Sequence, residues 1–153
     1  IGDFDSHFLG GVTKLVPFGA DRVGLWYGDF SFPHKYPRWD HVLKAFRIAP
    51  AWWPKGRLCA VKADEEGEFY TFPIQPAGRT IRLNARTECA GAVWVEVCGV
   101  ASRTIGDCEP VVGDDLSLPV IWKGQTDIGG PENQAVVLHF RLRSAEIFGF
   151  AWE

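Results

Sequence analysis

The chain has 153 residues, enough for about one domain that buries roughly two thirds of the surface its unfolded form exposes. Its 16 basic and 19 acidic residues give a net charge of −3, without the basic stripe that neutralises a phosphate backbone, so no nucleic acid partner is expected. No apolar run approaches the roughly 18 residues needed to span a bilayer, so we expect no membrane partner either.

Turn-forming and aromatic residues are frequent, and no stretch has clean helical periodicity. The chain contains 17 glycines, 10 prolines and 14% aromatic residues. This composition predicts an all-β fold of strands joined by turns. In chain order the predicted strands are 12–18, 22–30, 41–49, 67–74, 79–87, 90–100, 116–122, 134–144 and 146–153. Strands of this length and number are typical of an antiparallel β-sandwich, here of jelly-roll-like type.

Residues 1–63 are predicted to form an irregular, aromatic-rich N-terminal section. Within it, "FSFPHKYPRW" (30–39) is an aromatic-rich loop, and "PAWWPKG" (50–56) places Trp52 and Trp53 on a proline-bounded loop. An exposed pair there would form a sugar platform, and the alternative is a staple between sections. The composition changes near residue 63, so 64–153 is assigned to the regular β-sandwich, and we expect both sections to pack as one compact unit.

Residues 90–100, "AGAVWVEVCGV", alternate so that Trp94 and Glu96 lie on the face opposite the valines. Strands 79–87 and 134–144 alternate in the same way. The predicted inward side chains are Leu83, Val95, Val97, Val120, Leu138, Phe140 and Leu142. The predicted outward side chains are Trp94, Arg82, Asn84 and Glu96, with His139, Arg141 and Arg143 on the third strand.

The outward set has the chemistry that holds a sugar. An indole offers an apolar surface to C–H bonds, and arginine, asparagine and glutamate offer hydrogen bonds to hydroxyls or a carboxylate. We therefore predict ligand binding by Trp94, Arg82, Asn84 and Glu96, or by the loop pair Trp52 and Trp53. The alternative is that Trp94 is covered and the arginines form a solvated sheet face.

Motifs along 67–152 occur in a specific order: "GEFYTFPI", "RTIRLNA", "AGAVWVEV", "IGDCEPVVGDD", "IWKG" and "VVLHFRLRSAEIFGF". This order resembles the C-terminal β-sandwich, similar to a carbohydrate-binding module, of five-bladed β-propeller glycoside hydrolase-like proteins. Ile147 and Phe148 stand where the pattern usually has leucine and tyrosine, an exchange that keeps the apolar packing. The resemblance implies that the chain is part of a longer product whose catalytic carboxylates lie in propeller blades, and the absence of methionine favours the same reading.

No catalytic signature is present in the sequence. A Gly-x-Ser-x-Gly elbow, a phosphate loop and a His-Glu-x-x-His helix are all missing, so we expect no catalytic residue and no cofactor. Asp114 and Asp115 follow Gly113 in a turn, where they would either hold a structural calcium ion or cap their own turn.

Four cysteines, Cys59, Cys89, Cys98 and Cys108, are spaced too widely for paired zinc knuckles, so no metal site is expected from them. Cys89 and Cys108 would brace two strands in an oxidising compartment, or all four are free thiols.

The sequence thus predicts a noncatalytic accessory module of a polysaccharide-degrading enzyme, extracellular or at the cell surface. Its expected partners are a polysaccharide or oligosaccharide and the parent catalytic domain. The alternative is a purely structural C-terminal β-sandwich of a propeller glycosidase, with no ligand of its own.

Overall fold

The computed structural model describes residues 8–10, 14–30 and 46–153, which form strands, bridges and turns without a helix. The predicted all-β class is confirmed, because the described residues form antiparallel sheets and no helix. Within those ranges there is no helix long and apolar enough to cross a membrane. Most of the aromatic-rich loop 30–39, and the beginnings of the predicted strands 12–18 and 41–49, lie outside the described residues.

The chain divides into two compact units, Ile1–Lys55 and Gly56–Glu153. The sheet of the first unit contains β1 (Phe8–Gly10), β2 (Val16–Pro17), β3 (Arg22–Phe30) and β4 (Phe46–Pro54). β3 pairs antiparallel with β4 along its whole length, and with β1 and β2 on its other edge. β4 is therefore an edge strand among the described residues, the position at which prolines such as Pro50 and Pro54 are tolerated.

The sheet of the second unit contains β5 (Val61–Tyr70), β6 (Ile81–Val97), β7 (Asp114–Pro119) and β8 (Leu138–Trp152), in the order β5-β8-β6-β7. Residues 56–63 belong to this unit rather than to the N-terminal section in which composition placed them. The reason is that Val61–Ala63 already pair with β8 as the start of β5, ahead of the point at which the composition changes.

β6 and β8 each join two predicted strands into one, because the interruptions are bulges rather than turns. Ser144 of β8 has a φ of 42°, and both neighbouring strands shift register beside it. The shift in β6 lies between Thr87 and Ala92, and that in β5 between Ala63 and Glu66. The bulge band comprises 64–65, 88–91 and Ser144. Because bulges bend a strand without ending it, the band divides one continuous sheet into two halves.

The core of the second unit lies on one face of its sheet. The predicted inward residues Leu83, Val95, Val97, Val120, Leu138, Phe140 and Leu142 are all at most 1% exposed, which confirms the predicted alternation. Side chains of the connecting segments complete this core, among them Val111, Trp122, Ile128 and Val136.

Part of the edge of β6 does not pair with β7, and side chains of the connecting segments cover it there. The Val95 N–H donates to the Cys108 sulfur at 3.3 Å, and the Trp122 indole N–H donates to the Val95 carbonyl at 2.7 Å. We call Trp122 and Cys108 the edge plug. Burial raises the pKa of the Cys108 thiol to about 11, and all four cysteines are free in this structure.

The turn that leads into the edge plug depends on one carboxylate. Asp107 pairs with Lys123 and accepts hydrogen bonds from the Thr104 hydroxyl at 2.7 Å and its N–H at 3.2 Å. These contacts, the lysine first, lower the pKa of Asp107 from 3.8 to about 2.

Replacing this carboxylate, by Asp107→Asn, is expected to lower the thermal midpoint at neutral pH. Because the folded-state pKa is depressed, the stabilisation is present above about pH 4 and is lost as the pH falls toward 2. The difference between wild type and variant should therefore narrow over that window in thermal unfolding followed by circular dichroism. A difference that stays constant from pH 7 to pH 2 would contradict the assignment.

Candidate functional site

Three adjacent strands, β5, β8 and β6, carry a polar and aromatic surface on the side of the sheet opposite the core. We call it the Trp94 face, and its residues are Glu66, Glu68, Tyr70, Trp94, Glu96, His139, Arg141 and Arg143. Cross-strand pairing places Arg141 between Glu68 and Trp94 in one row. The prediction that Trp94 and Glu96 share a face opposite the valines is confirmed, since Val93, Val95 and Val97 are fully buried.

Trp94 lies beneath two guanidinium groups. The guanidinium carbons of Arg143 and Arg141 lie 5.3 and 5.9 Å from the centre of its ring, within the range of cation–π attraction. The indole is half-buried and also packs against the border of the core. Trp94 is thus a fixed aromatic surface with two planar donors beside it.

The row that contains Glu96 is held by internal contacts. His139 is 8% exposed and stacks on the Tyr70 ring with a centroid distance of 4.2 Å. Its Nε2 lies 3.1 Å from the Glu68 carboxylate and its Nδ1 3.8 Å from that of Glu96. Glu96 also accepts a hydrogen bond from the Ile105 N–H at 3.2 Å. Glu96 therefore stabilises the Trp94 face and has less capacity left for a ligand than the sequence suggested.

Arg82 and Asn84 share the outward direction of Trp94 but not its location. On β8, Arg82 is opposite Ala151, whereas Trp94 is opposite Arg141. Because each strand residue advances about 3.3 Å, Arg82 and Trp94 lie roughly 30 Å apart along the sheet. The bulge band lies between them. The predicted set of Trp94, Arg82, Asn84 and Glu96 does not form one site, because alternation defines a face without fixing the position along it.

Asn84 fixes the beginning of the second unit. Its side-chain carbonyl accepts from Arg57 Nε at 3.1 Å, and its amide donates to the Gly56 carbonyl at 2.9 Å. Arg82 donates to the Glu153 carboxylate at 2.8 Å. Both residues are thus occupied by internal partners.

Trp52 and Trp53 lie in β4 and not on a loop, so that prediction is wrong. Two prolines within seven residues suggested a loop, yet both prolines pair with β3 on an edge strand. As neighbours on a strand, the two tryptophans point to opposite faces and form no common platform. Trp52 is 47% exposed, with the Arg22 guanidinium carbon 3.9 Å from its ring centre.

The structure places a different tryptophan, Trp26, on the same face of the sheet as Trp52, and the sequence alone does not predict this. Gly24 is opposite Trp52 and Trp26 is opposite Pro50, so both indoles lie on the same face as diagonal neighbours. Trp26 is 48% exposed. Alternation in "RVGLWYGDF" puts Trp26 on the Gly24 face, but only the β3–β4 register brings Trp52 beside it.

The two aspartates considered for calcium have protein partners. Asp114 pairs with Arg57, and Asp115 accepts from the Ser117 N–H at 2.9 Å, as a residue that caps its own turn does. In the part of the chain that the structure describes, no group of three or more His, Cys, Asp or Glu residues is arranged to hold a metal ion.

Comparison with known proteins identifies no relative: no protein-family model, curated protein or solved structure matches the chain. The resemblance to a propeller-associated β-sandwich stays a prediction from the motifs quoted above. Function is therefore inferred from the chemistry of the described side chains, above all those of the Trp94 face.

Proposed function

We propose that the chain is a noncatalytic carbohydrate-binding module that accompanies a polysaccharide-degrading enzyme outside the cell, and that it binds glycan on the Trp94 face. The observation that carries the proposal is the half-buried Trp94 indole with two guanidinium groups within 6 Å of its ring centre. The two groups belong to Arg141 and Arg143, both exposed.

A sugar ring matches this arrangement for two reasons. Its C–H bonds pack on an aromatic face, and its hydroxyl oxygens accept hydrogen bonds from guanidinium groups. The Trp94 face is a sheet surface, and Tyr70, 59% exposed, widens it beyond the indole. A surface of this kind suits a segment of a polymer better than an enclosed small molecule.

One sugar ring on one indole gives weak binding. After side-chain ordering and desolvation, we expect a dissociation constant of about 1 μM to 1 mM. Such affinity suffices when the module and its parent enzyme meet a polymer that repeats the same epitope.

Trp94→Ala is expected to abolish retention of the protein in affinity gels that contain plant or algal polysaccharides. The reason is that the variant removes the stacking surface but leaves the buried valines in place. Phe148→Ala is the matched control, because Phe148 also lies beneath two guanidinium groups, those of Arg57 and Arg86, in the other half of the sheet. Cooperative thermal unfolding of both variants checks that they are folded. Unchanged retention of a folded Trp94→Ala protein would refute binding on this face.

The second candidate is a purely structural domain, and one observation favours it. Trp94 packs against the border of the core, as a residue that supports the sheet would. Under this function no polysaccharide retains the folded wild-type chain, and Trp94→Ala lowers the thermal midpoint by many degrees. The same experiment therefore separates the two functions.

A further inference from the structure

We infer that the glycan bound on the Trp94 face is acidic, and that Arg143 binds the carboxylate of a uronic acid in it. This inference rests on the proposed function and specifies its ligand. It comes from the way in which the arginines of the second unit are paired.

Arginines on the outer face of this sheet have carboxylate partners, with one exception. Salt bridges join Arg57 to Asp114, Arg82 to Glu153, Arg86 to Glu146 and Arg141 to Glu66. Arg143 has no carboxylate partner among the described residues. Its described hydrogen bond runs from Nε to the backbone carbonyl of Ala90, at 3.0 Å.

The sheet offers an internal comparison. Phe148 has the guanidinium carbons of Arg57 and Arg86 at 4.9 and 6.0 Å from its ring centre, and both arginines are neutralised by acids. Trp94 has the same arrangement with Arg143 and Arg141, but only Arg141 is neutralised. An uncompensated cation thus lies beside the larger aromatic ring.

Arg143 is also held in place for a ligand. The hydrogen bond from Nε to Ala90 fixes one edge of the guanidinium group and leaves the two terminal nitrogens without a described partner. A planar pair of N–H groups matches the two oxygens of a carboxylate. A uronic acid carries its carboxylate on the sugar ring, so stacking on Trp94 and pairing with Arg143 can occur together.

Glu66 is the protein's own carboxylate that would compete with a ligand carboxylate for Arg143. It lies directly opposite Arg143 across the strand pair, yet its carboxylate contacts Arg141, at 3.3 Å. Removing this charge, by Glu66→Gln, should therefore tighten binding of an acidic polymer.

The chain's net charge of −3 opposes general attraction to polyanions. Retention of the protein by an acidic polymer would therefore report a local contact.

The test compares an acidic polymer with its neutral ester. Polygalacturonate and alginate are run in affinity gels beside methyl-esterified pectin and esterified alginate, with neutral xylan and galactan in parallel. We expect an acidic polymer to retain the wild-type protein and its ester not to retain it. Arg143→Ala should lower the affinity for the acidic polymer about tenfold or more, and Arg143→Lys should lower it by an intermediate amount. Glu66→Gln should bind the acidic polymer more tightly than wild type does. Arg86→Ala, which removes an arginine that has a carboxylate partner, should bind as wild type does.

The outcomes distinguish the ligand class from the function. Equal retention by ester and acid, or by neutral polymers alone, with loss on Trp94→Ala but not on Arg143→Ala, would overturn the acidic ligand and leave carbohydrate binding in place. An equal loss for Arg143→Ala and Arg86→Ala would indicate nonspecific attraction and would also overturn it. No retention by any polymer, with the chain folded, would refute both.

Discussion

Gly91→Ala is expected to lower the free energy of unfolding by about 3 kcal/mol or more. Gly91 is buried in the bulge band, and a Cβ placed there would lie 2.3 Å from the Ser144 carbonyl oxygen and 2.9 Å from that of Arg143. Both atoms are backbone, so relief requires the two central strands to separate rather than a side chain to rotate. Urea denaturation followed by tryptophan fluorescence measures the change.

Gly149→Ala is the matched control for that experiment. Gly149 lies in the same strand pair, opposite Asn84, and an added Cβ would meet no atom within 4 Å. Its stability should stay within about 1 kcal/mol of wild type. If the two variants are equally stable, the bulge band can relax, and close backbone contact at Ser144 does not hold it.

Trp122 should give the other large effect. It is fully buried and among the largest core side chains, so Trp122→Ala is expected to cost about 3–5 kcal/mol from the lost apolar burial and the cavity together. Trp122→Phe keeps most of the ring but removes the N–H that donates to the Val95 carbonyl at 2.7 Å. That carbonyl would then be buried without its partner, at a cost of about 1–3 kcal/mol.

Trp152→Phe is the control that separates the effect of losing a hydrogen bond from the effect of a smaller ring. Trp152 is partly buried at the end of β8 and has no described hydrogen bond from its indole, so this exchange should change stability little. Urea denaturation of all three variants gives the comparison. A Trp122→Phe protein as stable as wild type would show that the Trp122 indole N–H contributes no hydrogen-bond energy at β6.

The sequence was sufficient to predict the fold class and the buried face. Alternation in "AGAVWVEVCGV" separates Val95 and Val97 from Trp94 because successive strand residues point to opposite faces. The same rule applied to β8 put Phe140 and Leu142 in the core, and the structure confirms it. Such local rules need no knowledge of which strands are neighbours.

The composition of the site was less predictable, because it depends on register and on distant partners. Arg82 and Trp94 obey the same alternation, yet their partners on β8 are ten positions apart and the bulge band lies between the two rows. The outward direction of Asn84 predicts a ligand contact, because nothing local reveals that Arg57, 27 residues earlier, binds its side-chain oxygen. The prolines beside Trp52 and Trp53 predict a loop because proline signals a break, whereas the unpaired edge of a strand accommodates it.

The Cys108 thiol makes the closed edge of β6 observable by chemistry. Its pKa of about 11 and its burial keep it unreactive while Cys59 and Cys89 are exposed, so thiol reagents should modify those two first. Cys108 becomes reactive only when its segment leaves Val95, which makes its labelling rate a measure of local opening. The same opening would uncover the edge of β6 that does not pair with β8, and an exposed strand edge is a template for aggregation. Labelling of Cys108 and self-association are therefore expected to share one rate-limiting motion, and a bound ligand that slows one should slow the other.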